Sequence, residues 1–383
     1  MISDTPFVRR FQRQTISALI TVCLLAAFLL CLQWTNAKAV TPPDTGDTTI
    51  KTLPASPDSV IDSTGLQSRR YVCREFLQAL RGAEAAIFDE RWDRAEHIAD
   101  SLSVCDTLLP CALLIRAGSL QARMFAQEDK SEKKQMLLLL DSAETVLESR
   151  LKTAPVADSA LLLYFMGNCH AYRSIWDAKF GSIISAIKQG FRARDDYQLG
   201  LSIDSGLTDL FLGVGVYKYW KSAKSGVLRW SGIVQDERQI GKEEVKRAIH
   251  DALISPDGAK SAYMWILMNE KEYRAAADIA EALADKFPHG STFLWPLATC
   301  YKKMNKYTLA RDTYLKIRSK LIDNPGNQIN LLKVDFEIYQ LAKKLEDTAT
   351  IRLVAEGFES YSRETPRKTR RLLRDEYRIL RRL

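Results

Sequence analysis

A few residues in this 383-residue sequence have the types that catalysis or metal binding needs, but their spacing fits neither. The histidines His97, His170, His250 and His289 are scattered, and neither His-Glu-x-x-His nor Cys-x-x-Cys occurs, so we predict no metal site. Ser131 begins a Ser-x-x-Lys pattern typical of acyl transfer, but the companion motifs of those enzymes are missing. We therefore predict no cofactor and no catalytic residue.

Two further patterns point to enzyme chemistry only weakly. Gly213-Val-Gly215 lacks the preceding strand and the third glycine of a dinucleotide-binding loop. The adjacent pair Cys169 and His170 leaves one alternative open, an envelope hydrolase whose unrecognised site joins these side chains to buried carboxylates on a helical scaffold. No motif supports this alternative, so the sequence favours a binding protein over an enzyme.

The elements that must position these residues are helices. Hydrophobic residues make up 46% of the chain, and glycine and proline are sparse, with 18 and 12 residues. Long stretches have apolar residues at helical spacing, and alternating strand-like patterns are few. This composition predicts an all-α fold.

Two helical stretches repeat each other at an interval of 34 residues. "KEYRAAADIAEALADKFPHGS" and "NKYTLARDTYLKIRSKLIDNP" align so that Tyr273 matches Tyr307 and Ala276 matches Ala310. This is the period of the tetratricopeptide unit, in which small residues let two helices approach closely. We predict tetratricopeptide-like helical hairpin repeats, stacked as a right-handed solenoid, with regular repeats at about 257–324 inside a helical domain at 68–365.

The central region carries a resemblance to a known family. It presents, in order, an apolar helix with Gly213 and Gly215, then Gly232, Asp236, Arg238 and Gly241, then the regular repeats. This order resembles the tetratricopeptide family that includes the mitochondrial outer-membrane protein of inclusion-body clearance and its animal relatives, over about 157–321. The sequence departs from it by Glu237, which separates the Asp from the Arg, and by the lack of paired prolines. The resemblance implies an all-helical, non-catalytic interaction protein, without implying a mitochondrial location.

The N-terminus has the pattern of a bacterial export segment. Three arginines precede the uncharged run Ile16–Leu32, and Ala37 and Ala39 stand in the small-x-small arrangement that a signal peptidase reads. Residues 1–39 are therefore either a cleaved signal peptide or a retained membrane anchor. A linker rich in Pro, Thr, Ser and Asp follows at 40–67 and is predicted to be disordered. We expect an exported protein of the periplasm or cell envelope.

Positive charge is concentrated at the two ends of the chain. The net charge is +8, of which residues 1–39 carry +3 and the tail at 366–383 carries +6, so the body between them is near neutrality. The body therefore does not have the charge of a nucleic-acid-binding surface. The tail predicts a basic amphipathic helix that either caps the repeat array or contacts an anionic membrane surface or an acidic partner.

A partner-binding face follows from the repeat register. If Ala298 and Tyr301 face the other helix of their hairpin, the opposite side of the same helix is left for a partner. The 34-residue offset carries that side to the preceding unit. The residues predicted to contact a protein partner are Trp265, Met268, Trp295, Thr299 and Lys302. We predict a protein-protein interaction scaffold that binds through the concave face of its array.

Overall fold

The computed structural model describes residues 74–224, 235–322 and 327–383, and within them the protein is all-helical, with no strand. The predicted export segment at 1–39, the linker at 40–67 and Gly232 lie outside the described residues. None of the described helices combines the length and apolar character that crossing a membrane requires. The α-helices are α1 Arg74–Phe88, α2 Trp92–Ser103, α3 Leu109–Ala126, α4 Lys133–Leu151, α5 Val156–Phe180, α6 Ile183–Ile203, α7 Asp209–Lys224, α8 Arg238–Asp251, α9 Pro256–Asn269, α10 Tyr273–Lys286, α11 Leu294–Lys303, α12 Tyr307–Ile322, α13 Gln328–Lys344, α14 Thr348–Ser362, α15 Arg367–Leu372 and α16 Arg374–Leu380.

Each of the helices α1 to α14 packs mainly against its neighbours in the chain. Their apolar side chains form two large hydrophobic clusters, one spanning α1 to α7 and the other α9 to α16. The predicted all-α fold is therefore confirmed. Packing between consecutive helices also agrees with the repeat-like pattern of the sequence.

One hairpin turn occurs five times. α1, α3, α9, α11 and α13 each end at a non-glycine residue with positive φ. Two residues beyond the end of the helix, a backbone N–H donates to the carbonyl oxygen five residues earlier, as from Glu272 to Leu267 at 2.9 Å and from Lys306 to Tyr301 at 2.9 Å. This is the Schellman ending, which satisfies carbonyl groups that the helix leaves free. The five turn residues are Glu90, Glu128, Lys271, Asn305 and Glu346.

The 34-residue recurrence extends from these turns into the helices that follow. α10 begins at Tyr273 and α12 begins at Tyr307, as their alignment in the sequence predicts. Ala276 and Ala310 are fully buried in the two helices. An alanine at a helix crossing lets the two backbones approach closely, so the same small residue recurs where the same crossing recurs.

Glycines bring the central helices α5 to α8 together. The ring of Tyr197 on α6 lies against Gly167 of α5 and Gly213 of α7, where an added Cβ would overlap the ring. Tyr197 also donates a hydrogen bond of 2.7 Å to the side chain of Asn168. On the next contact, a Cβ on Gly215 would lie 2.8 Å from the carbonyl oxygen of Gly241 on α8. The glycines of the predicted apolar helix thus permit close helix crossings, and they form no nucleotide-binding loop.

The N-terminal helices also contact the loops of the C-terminal half. Phe88 at the end of α1 packs edge-on against Phe287 and Phe293, with ring centroids 5.6 and 5.2 Å away. Asp89 accepts a hydrogen bond of 2.8 Å from the backbone N–H of His289, and its other oxygen lies 2.8 Å from Nδ1 of the same ring. This contact joins parts of the chain 200 residues apart, so the first hairpin is fixed to the repeats.

A second joint lies at the start of α9. Both carboxylate oxygens of Asp209 on α7 accept backbone N–H groups of residues 253–255, at 2.8 to 2.9 Å. Arg81 of α1 donates to the carbonyl oxygen of Leu253 at 2.7 Å, and Ser255 donates to Glu84 of the same helix. These bonds satisfy N–H groups that the helix end leaves free, and they attach α1 to the first regular repeat.

The C-terminal tail packs on the end of the array. Where the sequence predicts one amphipathic helix, the chain forms the short helices α15 and α16, interrupted at Leu373. The backbone at Leu373 leaves the helical region, and its side chain is only 1% exposed, as is that of Leu380. The ring of Tyr377 packs edge-on against Phe358 of α14, with centroids 5.2 Å apart. The tail therefore uses most of its apolar side chains to cover the second hydrophobic cluster.

Candidate partner-binding site

The two tryptophans predicted to contact a partner lie half-buried on the first helices of successive hairpins. Trp265 on α9 and Trp295 on α11 both pack partly against the second hydrophobic cluster. The ring of Trp295 meets Tyr314 of α12 edge-on, with centroids 6.0 Å apart. The fully buried Tyr314 thus holds one face of Trp295, while part of the indole stays accessible.

The other three predicted contact residues differ in their surroundings. Thr299 is half-buried and donates to the carbonyl oxygen of Trp295 at 2.9 Å, within one turn of α11. Lys302 forms an ion pair with Glu337 of α13, a residue whose side chain is only 2% exposed. Met268 is 5% exposed and belongs to the hydrophobic cluster, so its side chain packs inside the repeat. The accessible part of the predicted set is therefore Trp265, Trp295, Thr299 and Lys302.

The chain itself covers the corresponding part of the next unit. α13 is buried at every position from Asn330 to Ile338, including charged residues. The side chains of Asn327 and Asn330 donate to the carbonyl oxygen of Ala126 at 3.0 and 2.7 Å. The α3–α4 loop thus occupies the surface of α13, and the accessible face is confined to α9 and α11. The sequence gives no sign of this contact because its two partners are about 200 residues apart.

Two lysines and one glutamate complete this contact between the loop and α13. Glu128 lies 3.2 Å from Nζ of Lys333 on α13 and 3.5 Å from Nζ of Lys179 near the end of α5. These cations lower the pKa of Glu128 although burial opposes the shift, so the carboxylate stays ionised between them. The positive φ of Glu128 in its Schellman turn places the side chain at this position.

His170 lies in a buried polar cluster between α4, α5 and α6. Its Nε2 is 3.6 Å from Asp196 and 3.9 Å from Glu144, and its side chain is only 8% exposed. Burial lowers the pKa of His170 and raises the pKa of Asp196 to about 7. Arg173 donates to Glu144 at 3.1 Å, which fixes that carboxylate on one side of the cluster.

This cluster gives no support to the hydrolase alternative. Cys169, next to His170, is fully buried, and burial raises the pKa of its thiol to about 12. A thiol with that pKa is protonated at neutral pH, whereas nucleophilic attack requires the thiolate. Ser131, the first residue of the Ser-x-x-Lys pattern, donates its hydroxyl to Asp129 in the α3–α4 loop. Across the described part of the chain, no three His, Cys, Asp or Glu side chains group as metal ligands.

A cavity of about 310 Å³ lies among α1, α3, α4 and α5, away from the tryptophan face. Its wall is largely apolar and includes Phe76, Leu147 and Phe165. Arg150 lines one side and donates to the carbonyl oxygen of Thr107 at 2.5 Å. None of the residues predicted to bind a partner lines this cavity.

Comparisons with known proteins assign no family. No protein-family model matches the chain, and a search of curated proteins gives no significant match. The function is therefore argued from the sequence and the geometry of the described residues.

Proposed function

We propose that this chain is an exported, non-catalytic protein-protein interaction scaffold of the cell envelope, built from tetratricopeptide-like hairpins stacked as a right-handed solenoid. The observation that carries the proposal is the 34-residue recurrence in α9 to α12. The same Schellman turn, the same tyrosine at a helix start and the same buried alanine occur in both hairpins. Hairpins that repeat in this way present the same helix face in each unit, which is how repeat proteins build a binding surface.

The proposed binding surface is the face of α9 and α11 that carries Trp265, Trp295, Thr299 and Lys302. Half-buried tryptophans are suited to this role because part of the indole is already ordered by the core. They offer a large contact area to a partner at a small further entropic cost. Lys302 adds a cation whose charge is partly balanced by Glu337, so a polar or acidic group of the partner would meet it at the rim. A segment of another protein is the ligand that this combination favours.

The test is capture of partners from envelope extracts by wild-type protein and by a variant with Trp265→Ala and Trp295→Ala. Loss of the captured partner is expected, because buried aromatic anchors often contribute about 2 kcal/mol or more each to an interface. A matched control replaces Leu353, which is 45% exposed on α14, with alanine and should leave capture unchanged. Circular dichroism must show that both variants remain folded. Equal capture by all three proteins would contradict the proposed face.

A further inference from the structure

The strongest charged surface in the described part of the chain is the C-terminal tail. Its apolar side chains Leu373 and Leu380 are buried against the array. Seven cationic side chains remain exposed on α15, α16 and the residues after them: Arg367, Lys368, Arg371, Arg374, Arg378, Arg381 and Arg382. One exposed acidic residue, Asp375, stands among them, because Glu376 is buried.

These cations are not used by the fold. Within the described residues, Arg378 alone of the seven forms an ion pair, 4.0 Å from Asp375, and both side chains of that pair are at least half exposed. Such a pair contributes little to stability. Covering the array and presenting positive charge are therefore separate functions of opposite sides of the tail.

We propose that the exposed cations of the tail form a docking surface for an anionic lipid bilayer. The chain would lie on the bilayer by its C-terminal end while the apolar side of the tail stays packed on the repeats. Because Leu373 and Leu380 are not available for insertion, attachment depends on charge rather than on burial of an amphipathic helix. Leu372 and Leu383, which are 52% and 44% exposed beside the arginines, can contact the headgroup region.

Three observations favour a bilayer over another polyanion. The tail carries a net charge of +6 while the body between the tail and the N-terminal segment is near neutrality, so attraction is local to this end. The sequence predicts a membrane-proximal N-terminus, which would hold the tail near lipid. Binding of single-stranded nucleic acid usually needs exposed aromatic rings for base stacking, whereas the only aromatic residue of the tail, Tyr377, packs against Phe358.

The experiment measures partition of the full chain into vesicles of phosphatidylcholine and of phosphatidylcholine mixed with phosphatidylglycerol. The ratio of the two partition coefficients isolates the electrostatic part, because the N-terminal apolar run is the same in every variant. The tail variant carries Arg371→Gln, Arg374→Gln, Arg378→Gln and Arg381→Gln. The matched control removes the same number of exposed cations elsewhere, by Lys133→Gln, Lys134→Gln, Arg274→Gln and Lys316→Gln.

The tail variant is expected to lose about tenfold or more in this ratio, while the control stays close to wild type. Raising the salt concentration from about 0.05 to about 0.5 M should abolish the preference of the wild type for anionic vesicles, because screening shortens the range of the charges. An unchanged melting temperature of the tail variant would show that the cap is intact. The proposal is overturned if the control loses as much as the tail variant, or if wild type does not prefer anionic vesicles. Tighter binding to a single-stranded oligonucleotide than to the anionic vesicles would also overturn it.

Discussion

Glu84 is a partly buried carboxyl group at the joint between α1 and the first regular repeat. It accepts a hydrogen bond from Ser255, and a Cβ on Gly258 would lie 2.8 Å from its Oε1. Burial raises the pKa of Glu84 to about 8, and the nearby carboxylates of Asp257 and Asp209 add to the shift, while Lys286 opposes it. The carboxyl group is therefore mainly neutral in the folded protein at neutral pH.

This shift predicts that Glu84→Gln stabilises the protein at about pH 8. A raised pKa in the folded state favours folding fully below the ordinary value of 4.5, and this contribution is lost as the pH rises through about 8. Glutamine cannot ionise, and its amide oxygen can still accept from Ser255. Thermal or denaturant unfolding should show a gain of about 1–3 kcal/mol near pH 8 that shrinks toward pH 5. A gain that is equal at both pH values would contradict the assignment.

At this scale, the sequence predicts small residues better than their partners. Gly167, Gly213 and Gly215 could be identified as positions of close approach because they interrupt apolar helices. The ring that fills the space, Tyr197, could not be identified, because the contact joins α5, α6 and α7 and depends on how those helices cross. The role of Glu84 was equally invisible, since its pKa follows from groups up to 200 residues away along the chain.

At the scale of elements, the buried alanines of α10 and α12 test the repeat assignment. Ala276→Trp and Ala310→Trp each place a large ring at a helix crossing with no space for it, and each should destabilise the protein by about 1–3 kcal/mol. The neighbours Ala275 and Leu309 are exposed on the same helices and provide the controls Ala275→Trp and Leu309→Trp. Thermal unfolding compares the four variants. If the buried and exposed substitutions have the same effect, the crossings are not where the recurrence places them.

The hairpins were predictable from periodicity, but the turns that join their helices were not. The residues in the left-handed conformation are three glutamates, a lysine and an asparagine, whereas glycine is the usual signal for this ending. The break of the tail at Leu373 escaped prediction for a related reason. The apolar spacing of the tail fits one continuous helix, and only contact with α13 and α14 makes two short helices more favourable.

At the scale of the whole molecule, the first hairpins and the repeats form one connected structure. The α1–α2 loop contacts the α10–α11 loop, the α3–α4 loop contacts α13, and α1 contacts the start of α9. Local periodicity cannot indicate these contacts, because each joins segments 170 or more residues apart through side chains that are ordinary surface types. They matter for function because the α3–α4 loop covers α13 and so limits the accessible face to α9 and α11.

Glu90 allows this connection to be measured. Its Oε1 accepts hydrogen bonds from the backbone N–H of Ser291 at 2.7 Å and from the Ser291 hydroxyl at 3.0 Å. Glu90→Ala leaves these donors without their partner and should destabilise the protein by about 1–3 kcal/mol. A double-mutant cycle with Ser291→Ala should give a coupling of about 0.5 kcal/mol or more, because the two side chains interact directly across 201 residues of sequence.

Glu346→Ala is the matched control for this cycle. Glu346 is also a glutamate in the left-handed turn position, with φ of 56° against 58° for Glu90, but its side chain is exposed. The backbone cost of the substitution is therefore shared, and only the contact with Ser291 differs. Hydrogen exchange should show faster opening of the α10–α11 loop in Glu90→Ala and no change there in Glu346→Ala. If both variants leave this loop equally protected, the first hairpin and the repeats are stabilised independently, and the coverage of α13 must depend on the α3–α4 loop alone.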